Sequence, residues 1–288
     1  MTSIELTAHA KVNLILKVLN KRKDGYHNIF TLFERISLAD RIKISKISKG
    51  ITVTCDKAVT ARPQDNIAYK AAELILRVAR VKTGVNILIK KRIPIAAGLG
   101  GGSADAAAVL TGIDKLFKLN MGREKLVRLG AKLGADVPFF IFDTPFAVGR
   151  GIGDRLEKVS LKTKFHHILV YPGFKVATKE VYQALDLNLT RKLGDDKMAI
   201  PVGWNGLEGL LHNDLEGVVA AKKPVIGKVI KCLASSLGRR FMVSGSGPSI
   251  FCLYRTRREA AKAKAKLLSG LPAKAKKRWQ VFIVETKS

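Results

Sequence analysis

The chain opens on alternation. Ile4, Leu6, Ala8, Ala10, Val12, Leu14, Leu16 and Val18 occupy every second position, the period of a strand with one buried face. This predicts a strand over residues 2–19, or two strands with a break near His9-Ala10. Lys11 and Asn13 fall on its polar phase, where a lone lysine reads as a solvated face. A polar turn on Asp24-Gly25 follows, and Tyr26 and His27 stand just after it. Alternation resumes over 29–38 and 41–47, two strands separated by Leu38-Ala-Asp-Arg, and again in a short strand over 51–55.

The period then lengthens. Ile67, Ala71, Leu74, Ile75 and Val78 share one face of a helix over 66–80. A β-branched run over 85–90 reads as a strand. Ala106, Val109, Leu110, Ile113, Leu116 and Phe117 recur at helical spacing as far as Leu119. A further helix over 123–133 is closed by Gly134. Gly149-Arg-Gly151-Ile-Gly153 marks a turn near a change of domain. Beyond it the pattern predicts a strand over 166–171 and a short helix over 178–185 that exposes Tyr182. An irregular polar stretch over 186–203 reads as a mobile loop. Helices follow over 207–220 and 225–237. Strands over 240–244 and 250–254 flank Gly245-Ser-Gly247-Pro-Ser249, and a helix over 259–268 and a strand over 279–285 end the chain. Strands and helices mix without strict alternation in the second half, which indicates an α+β architecture. The expected domains are residues 1–155 and 156–288.

Composition narrows the class. At 288 residues with 47% apolar positions the chain can bury a substantial core, and no apolar run reaches membrane-spanning length. The first residues, Met1-Thr-Ser-Ile-Glu-Leu, lack the basic start and apolar core of a signal peptide. Cys55, Cys232 and Cys252 are few, odd in number and far apart, as expected of reduced thiols in a cytoplasm, and they form no zinc motif. The net charge of +29 is extreme and would attract polyanions. It is spread from Lys11 to Lys287, however, and the aromatics do not interleave with the basic runs. The densest run, 257–278, reads as a helix with one apolar face. A basic solvated surface is therefore favoured over a specific nucleic-acid site.

The chemistry concentrates between Pro94 and Asp105. Four glycines in the five residues Gly98-Leu99-Gly100-Gly101-Gly102 link a strand to a helix. Such a loop lets the backbone approach a ligand, and its N–H groups with a helix N-terminus form an anion site. Ser103 is a suitable N-cap, and Asp105 in the first turn suits the helix dipole. A P-loop is excluded because no lysine follows the glycines. A dinucleotide fingerprint is excluded because Ser103 stands where its third glycine is required. Asp136, between Gly134 and an apolar run, reads either as an N-cap or as a perturbed acid or base. Tyr26 and His27 read either as a half-buried strand start or as a stacking ring beside a hydrogen-bonding imidazole.

Six motifs in order carry a resemblance. Ala10-Lys11-Val-Asn13-Leu, Pro94-x-x-x-Gly98-Leu99-Gly100-Gly101-Gly102-Ser103 and Ser244-Gly-Ser-Gly247-Pro-Ser resemble the GHMP kinases along the entire chain. Asp24-Gly-Tyr26-His27, Gly134-Ala-Asp136-Val-Pro-Phe and Asn213-Asp-Leu-Glu216 resemble the branch that acts on a cytidine-diphosphate-linked sugar alcohol. The resemblance implies an α+β, two-domain GHMP kinase fold with the active site in the cleft between the domains, and transfer of the γ-phosphate of ATP to a tertiary alcohol. It implies that Pro94, Gly98, Leu99, Gly100, Gly101, Gly102, Ser103 and Ala104 hold the triphosphate and that Asn66 lies near adenine. Lys11 and Asp136 match the catalytic pair. Tyr26, His27 and Tyr182 match the cytidine pocket, and Asn13, Thr178 and Gly247 match further substrate positions. Ala104 replaces a second serine common in relatives, at little cost where backbone N–H groups bind the phosphate. Mg²⁺ is expected with ATP, but the sequence assigns it no protein ligand. The expected partner is a small molecule, with no specific nucleic acid and no membrane.

Overall fold

The computed structural model describes residues 1–161, 163–186 and 204–288. Two compact units interleave along the chain. Unit 1 comprises Met1–Ala10, Leu38–Ile95 and Gly100–Thr144; unit 2 comprises Lys11–Ser37, Ala96–Leu99 and Pro145–Ser288. Two long strands, β1 (Ser3–Lys21) and β2 (His27–Ile47), pass from one unit into the other.

Neither strand is broken where the pattern suggested. No glycine or proline interrupts Ser3–Lys21, so nothing ends its pairing near His9. In β2 the separation expected at Leu38-Ala-Asp-Arg is strand, because the Asp40 carboxylate is satisfied in place. The backbone N–H of Ile93 donates to its Oδ1 at 2.8 Å. The polar phase of β1 is not solvated either, since every residue from Lys11 to Val18 is buried.

In unit 1, β3 (Ile51–Cys55) runs parallel to β4 (Gly84–Lys90), with Ile51 opposite Val85. β4 runs antiparallel to the Arg41–Ile47 half of β2, with Ile44 opposite Ile87. Helices α1 (Ile67–Val78) and α2 (Gly101–Phe117) bury their apolar faces in one core with Ile42, Ile44, Val85 and Ile87. α3 (Arg123–Ala131) and the short α4 (Val137–Phe142) complete it through Leu126, Leu129, Val137 and Ile141. α2 starts within the glycine run. Its N-cap is Gly100 in the left-handed region at φ 68°, with no side-chain cap, so Ser103 is a first-turn residue rather than the N-cap. Asp105 lies beyond the first turn and is buried rather than set toward the helix end.

In unit 2, β5 (Phe146–Arg150) pairs with β2 and turns through Gly151–Asp154 into β6 (Arg155–Lys158). A second sheet of four strands has the order β11 (Gln280–Glu285), β7 (His166–Tyr171), β10 (Ile250–Tyr254) and β9 (Met242–Val243), paired antiparallel throughout. Its core joins Ile168, Val170, Ile250 and Phe241 to Val219, Ile226 and Leu233 on two helices, Leu215–Lys222 and Pro224–Leu237. The helix expected over 207–220 is two, Trp204–Leu210 and Leu215–Lys222. Between them His212–Asn213 forms β8, which pairs in parallel with β1 at Ile15 and Leu16. The basic run is also two helices, Arg257–Gly270 and Ala273–Arg278, separated at Leu271-Pro272. The loop expected over 186–203 lies, except for Asp186, outside the described residues. The chain is thus mixed in helix and strand, with two sheets, as its α+β pattern indicated.

Candidate functional site

Unit 1 gathers four sequence-selected features around the start of α2. The backbone reaches Gly100 in a left-handed conformation that suits only glycine well, and the helix begins at once. With no side-chain cap, the first-turn N–H groups point outward in the positive half of the helix dipole. A Cβ on Gly101 would stand 2.9 Å from Ile93 Cγ2 and 3.5 Å from Lys91 Nζ, so this glycine lets the helix start pack on the end of β4. A Cβ on Gly102 would make only an ordinary contact, 3.5 Å from Ile67 Cγ2. Asn66 caps α1, its Oδ1 accepting from Ala68 N at 2.9 Å. The turn ahead of α4 lies beside these elements, since a Cβ on Gly134 would be 3.8 Å from Ile67 Cδ1 and 4.0 Å from Ser103 Oγ. Asp136 follows in that turn, half-buried at the N-cap position of α4, and its side chain makes no cap hydrogen bond.

Beneath the helix start lies a charged cluster that spacing did not reveal. Lys91 Nζ donates to Asp105 Oδ2 at 2.7 Å and to Asp40 Oδ2. Burial works against the Lys91 charge, yet the charges of Asp105 and then Asp40 outweigh it and raise its pKa. Burial, opposed by Lys91 and reinforced by Asp40, pushes the Asp105 carboxyl up to about 7. Its one signal in the sequence is an aspartate inside the apolar alternation of β2.

Unit 2 builds a second constellation on β1. Lys11 Nζ donates to Asn13 Oδ1 at 2.6 Å, and Asn13 Nδ2 donates to Thr31 Oγ1 at 2.8 Å. Lys11 Nζ also stands 5.4 Å from the centre of the Phe33 ring. The front of the glycine loop is fixed here, with the Lys11 N–H donating to Leu99 O at 3.0 Å and the Ser249 N–H to Ala97 O at 3.1 Å. Ser244 Oγ donates to Gly98 O at 3.0 Å. Gly98 has φ 75°, and a Cβ there would run into the Ser244 carbonyl. A Cβ on Gly245 would be 3.2 Å from Asn13 Oδ1 and 3.5 Å from Lys11 Nζ, so the second glycine turn closes over this pair.

That turn is held by the Asn213-Asp-Leu-Glu216 motif of the resemblance. Asn213 Nδ2 donates to both Val243 O and Gly245 O at 2.8 Å, and Glu216 Oε2 accepts from Val243 N at 2.8 Å. Thr178 Oγ1 lies 2.8 Å from Ser246 Oγ, tying α5 (Thr178–Gln183) to the same turn; Gly247 has φ 72°.

The aromatic candidates divide. His27 is buried and its ring centre lies 5.4 Å from that of Tyr182, at an interplanar angle of 32°. Tyr182 is half-buried rather than exposed, packed against the core of unit 2. Tyr26 is 58% exposed, its N–H donating to Asp24 Oδ1 at 3.1 Å. Burial, then the nearby Lys21 charge, lower the His27 pKa and so favour the neutral imidazole, which offers one donor and one acceptor.

Comparison with known proteins identifies the family. Residues 66–144 match the family model of the GHMP kinases N terminal domain, and 203–273 match that of GHMP kinases C terminal. A 4-diphosphocytidyl-2-C-methyl-D-erythritol kinase of Syntrophus aciditrophicus is 38% identical, with 98% of this chain and 99% of the relative covered. One of Acetivibrio thermocellus is 39% identical over 99% of this chain and its own full length. The crystal structure of a 4-(cytidine 5'-diphospho)-2C-methyl-D-erythritol kinase superposes with a TM-score of 0.80 at 35% identity, covering 99% of this chain and 100% of that one. The homoserine kinase of Cytophaga hutchinsonii, at 17% identity and a TM-score of 0.73 over 100% of this chain and 95% of its own, shares the fold. On motif order, fold and full-length identity, the chain belongs to the 4-diphosphocytidyl-2-C-methyl-D-erythritol kinase family of the GHMP kinases.

Proposed function

We propose that the protein transfers the γ-phosphate of ATP to the tertiary 2-hydroxyl of 4-diphosphocytidyl-2-C-methyl-D-erythritol, a step in the non-mevalonate route to isoprenoid precursors. The observation that carries this reading is the left-handed Gly100 feeding directly into the uncapped start of α2, in a chain whose full-length relatives are named for that activity. In the proposal Pro94 and Gly98 to Ala104 form the triphosphate loop, where backbone N–H groups and the helix dipole offset phosphate charge without reorganising. Asn66 adjoins adenine. The ATP-binding part corresponds to residues 1–155, which include the matched N-terminal model, and 156–288 include the C-terminal one.

Phosphoryl transfer needs in-line placement and charge neutralisation more than covalent help. The tertiary hydroxyl oxygen attacks Pγ while the bond from Pγ to the ADP oxygen breaks. Its proton passes to Asp136, and Lys11 stabilises the negative charge on the attacking oxygen. The bond from Lys11 to Asn13 fixes the direction of the ammonium. His27 reads the cytosine edge, Tyr26 and Tyr182 flank the ring, and Asn13, Thr178 and Gly247 shape the rest of the substrate site. Among the described residues no cluster of three His, Cys, Asp or Glu side chains is placed to hold a metal. Mg²⁺, expected with ATP, would supply further neutralisation of phosphate charge. The proposed setting is the cytoplasm, and no helix among the described residues is long and apolar enough to cross a membrane.

The test is a substrate panel with ATP. The cytidine substrate should be phosphorylated, homoserine and mevalonate should not, and the uridine analogue should be poor, because its carbonyl acceptor replaces the amino donor of cytosine. Equal use of the cytidine and uridine compounds, or preference for homoserine or mevalonate, would overturn the assignment.

A further inference from the structure

Lys91, Asp40 and Asp105 take no part in the proposed chemistry, yet they are among the most buried charges in the chain, at 5%, 0% and 4% exposure. Their bonds follow the loop. Both the Arg92 and the Ile93 N–H groups donate to Asp40 Oδ1. These two residues immediately precede Pro94, where the glycine loop begins. Asp105 lies on α2, just beyond the loop's end at Ala104. One ammonium bonds both carboxylates. The first residue of α2 lies against the same ammonium, a Cβ on Gly101 reaching to 3.5 Å from Lys91 Nζ.

A buried ion pair is a poor source of stability, since apolar side chains of similar volume generally do as well. What it adds is direction. Here the directional bonds run from one cation to the entry and to the exit of a loop whose function depends on where its N–H groups point. Asp105 Oδ1 is moreover buried without a hydrogen-bond partner, so the residue carries an unmet polar cost that packing alone would not select.

The geometry points to Lys91, bracketed by Asp40 and Asp105, as a positioning residue for ATP that ties the end of β4 to the start of α2 and so sets the phosphate-binding arrangement of the loop. This rests on the reading of that loop as the triphosphate site. Lys91→Met is a poor probe, because it strands two carboxylates in the core. Asp105→Ala is the better one. It joins Ala104, Ala106, Ala107 and Ala108 in an alanine-rich helix and leaves the Lys91–Asp40 pair intact. The expected result is a cooperative melt, KM for ATP raised roughly tenfold, and KM for the cytidine substrate within about twofold, the pattern of one misplaced binding element. Asp105→Asn keeps an oxygen acceptor for the ammonium and should fall between Asp105→Ala and the unaltered protein. Amide exchange gives an independent readout, with the hydrogen-bonded Ile93 and Ala104 amides of Asp105→Ala exchanging faster while Val109–Ile113 stay protected. A folded Asp105→Ala with unchanged KM for ATP, or with both KM values raised equally, overturns the clamp. An unaltered protein that fails to use ATP removes the triphosphate reading itself, and the clamp with it.

Discussion

Removing the charge of Asp136 while keeping its shape isolates its proposed part in catalysis. Asp136→Asn should bind both substrates normally and lose roughly two to four decades of turnover, the usual worth of a positioned acid–base group. Near-normal turnover would reduce Asp136 to the start of a short helix. Lys11→Met should also slow the reaction, and the double variant should be little worse than the poorer single one, because the two groups act as a unit. A second residue-scale prediction concerns pH. Burial places the folded-state pKa of Asp105 at about 7, above its ordinary carboxylate value, with Lys91, Asp40 and the Cys55 thiol as its charged or titratable neighbours. The folded state therefore favours the protonated carboxyl. The stabilisation this gives is full below about pH 4, falls as pH rises toward 7 and is gone above it. Plotted against pH, the melting temperature of the unaltered protein minus that of Asp105→Asn should decline across that window and then level off. A flat difference would show that Asp105 does not titrate there.

At the level of elements, the glycine run was legible in kind but not in detail. Strand, loop and helix follow from period and composition. The start of α2 does not, because a serine three residues into a glycine run looks like a cap, whereas Gly100 in a left-handed conformation performs the turn without one. The same limit explains the long strands. Local rules read Leu38-Ala-Asp-Arg as a break, and only the distant N–H groups of Arg92 and Ile93, with Lys91, make an aspartate tolerable inside a buried strand. Likewise Lys11 and Asn13 read as solvated because alternation cannot show that a strand is covered on both faces; their bond to each other, and Asn13's to Thr31, satisfies them there. The structure also shows what a side chain in the glycine run would meet. A side chain at Gly101 points at Ile93 and Lys91 rather than toward a ligand. Gly101→Val should thus push the first turn of α2 off β4, abolishing turnover and lowering the melting temperature together. Loss of turnover with ATP affinity unchanged would mean that the loop is structural only.

At the scale of the whole molecule, α+β class and family were legible because both depend on the order of elements and motifs, which survive errors at single boundaries. The interleaving of the two units was not. β1 and β2 each run through both, so the chain enters and leaves each unit several times, and linear composition shows no seam at Ala10 or Ser37. The charge is the remaining whole-molecule property. The chain carries 52 lysines and arginines against 23 acids, and the basic helices Arg257–Gly270 and Ala273–Arg278 present most of theirs on exposed positions. A field of that sign must attract polyanions whatever the active site does. Attraction that comes from a diffuse field is governed by counterion release, which carries no sequence information. Duplex DNA should accordingly bind at low ionic strength without sequence preference. The affinity should fall by orders of magnitude between about 50 and 200 mM salt, the behaviour of contacts to phosphate alone. Kinase activity with the cytidine substrate should be unaffected by competing DNA at the higher salt. A titration showing tight, sequence-selective binding at physiological salt would instead require base contacts, and would assign the basic surface a function of its own.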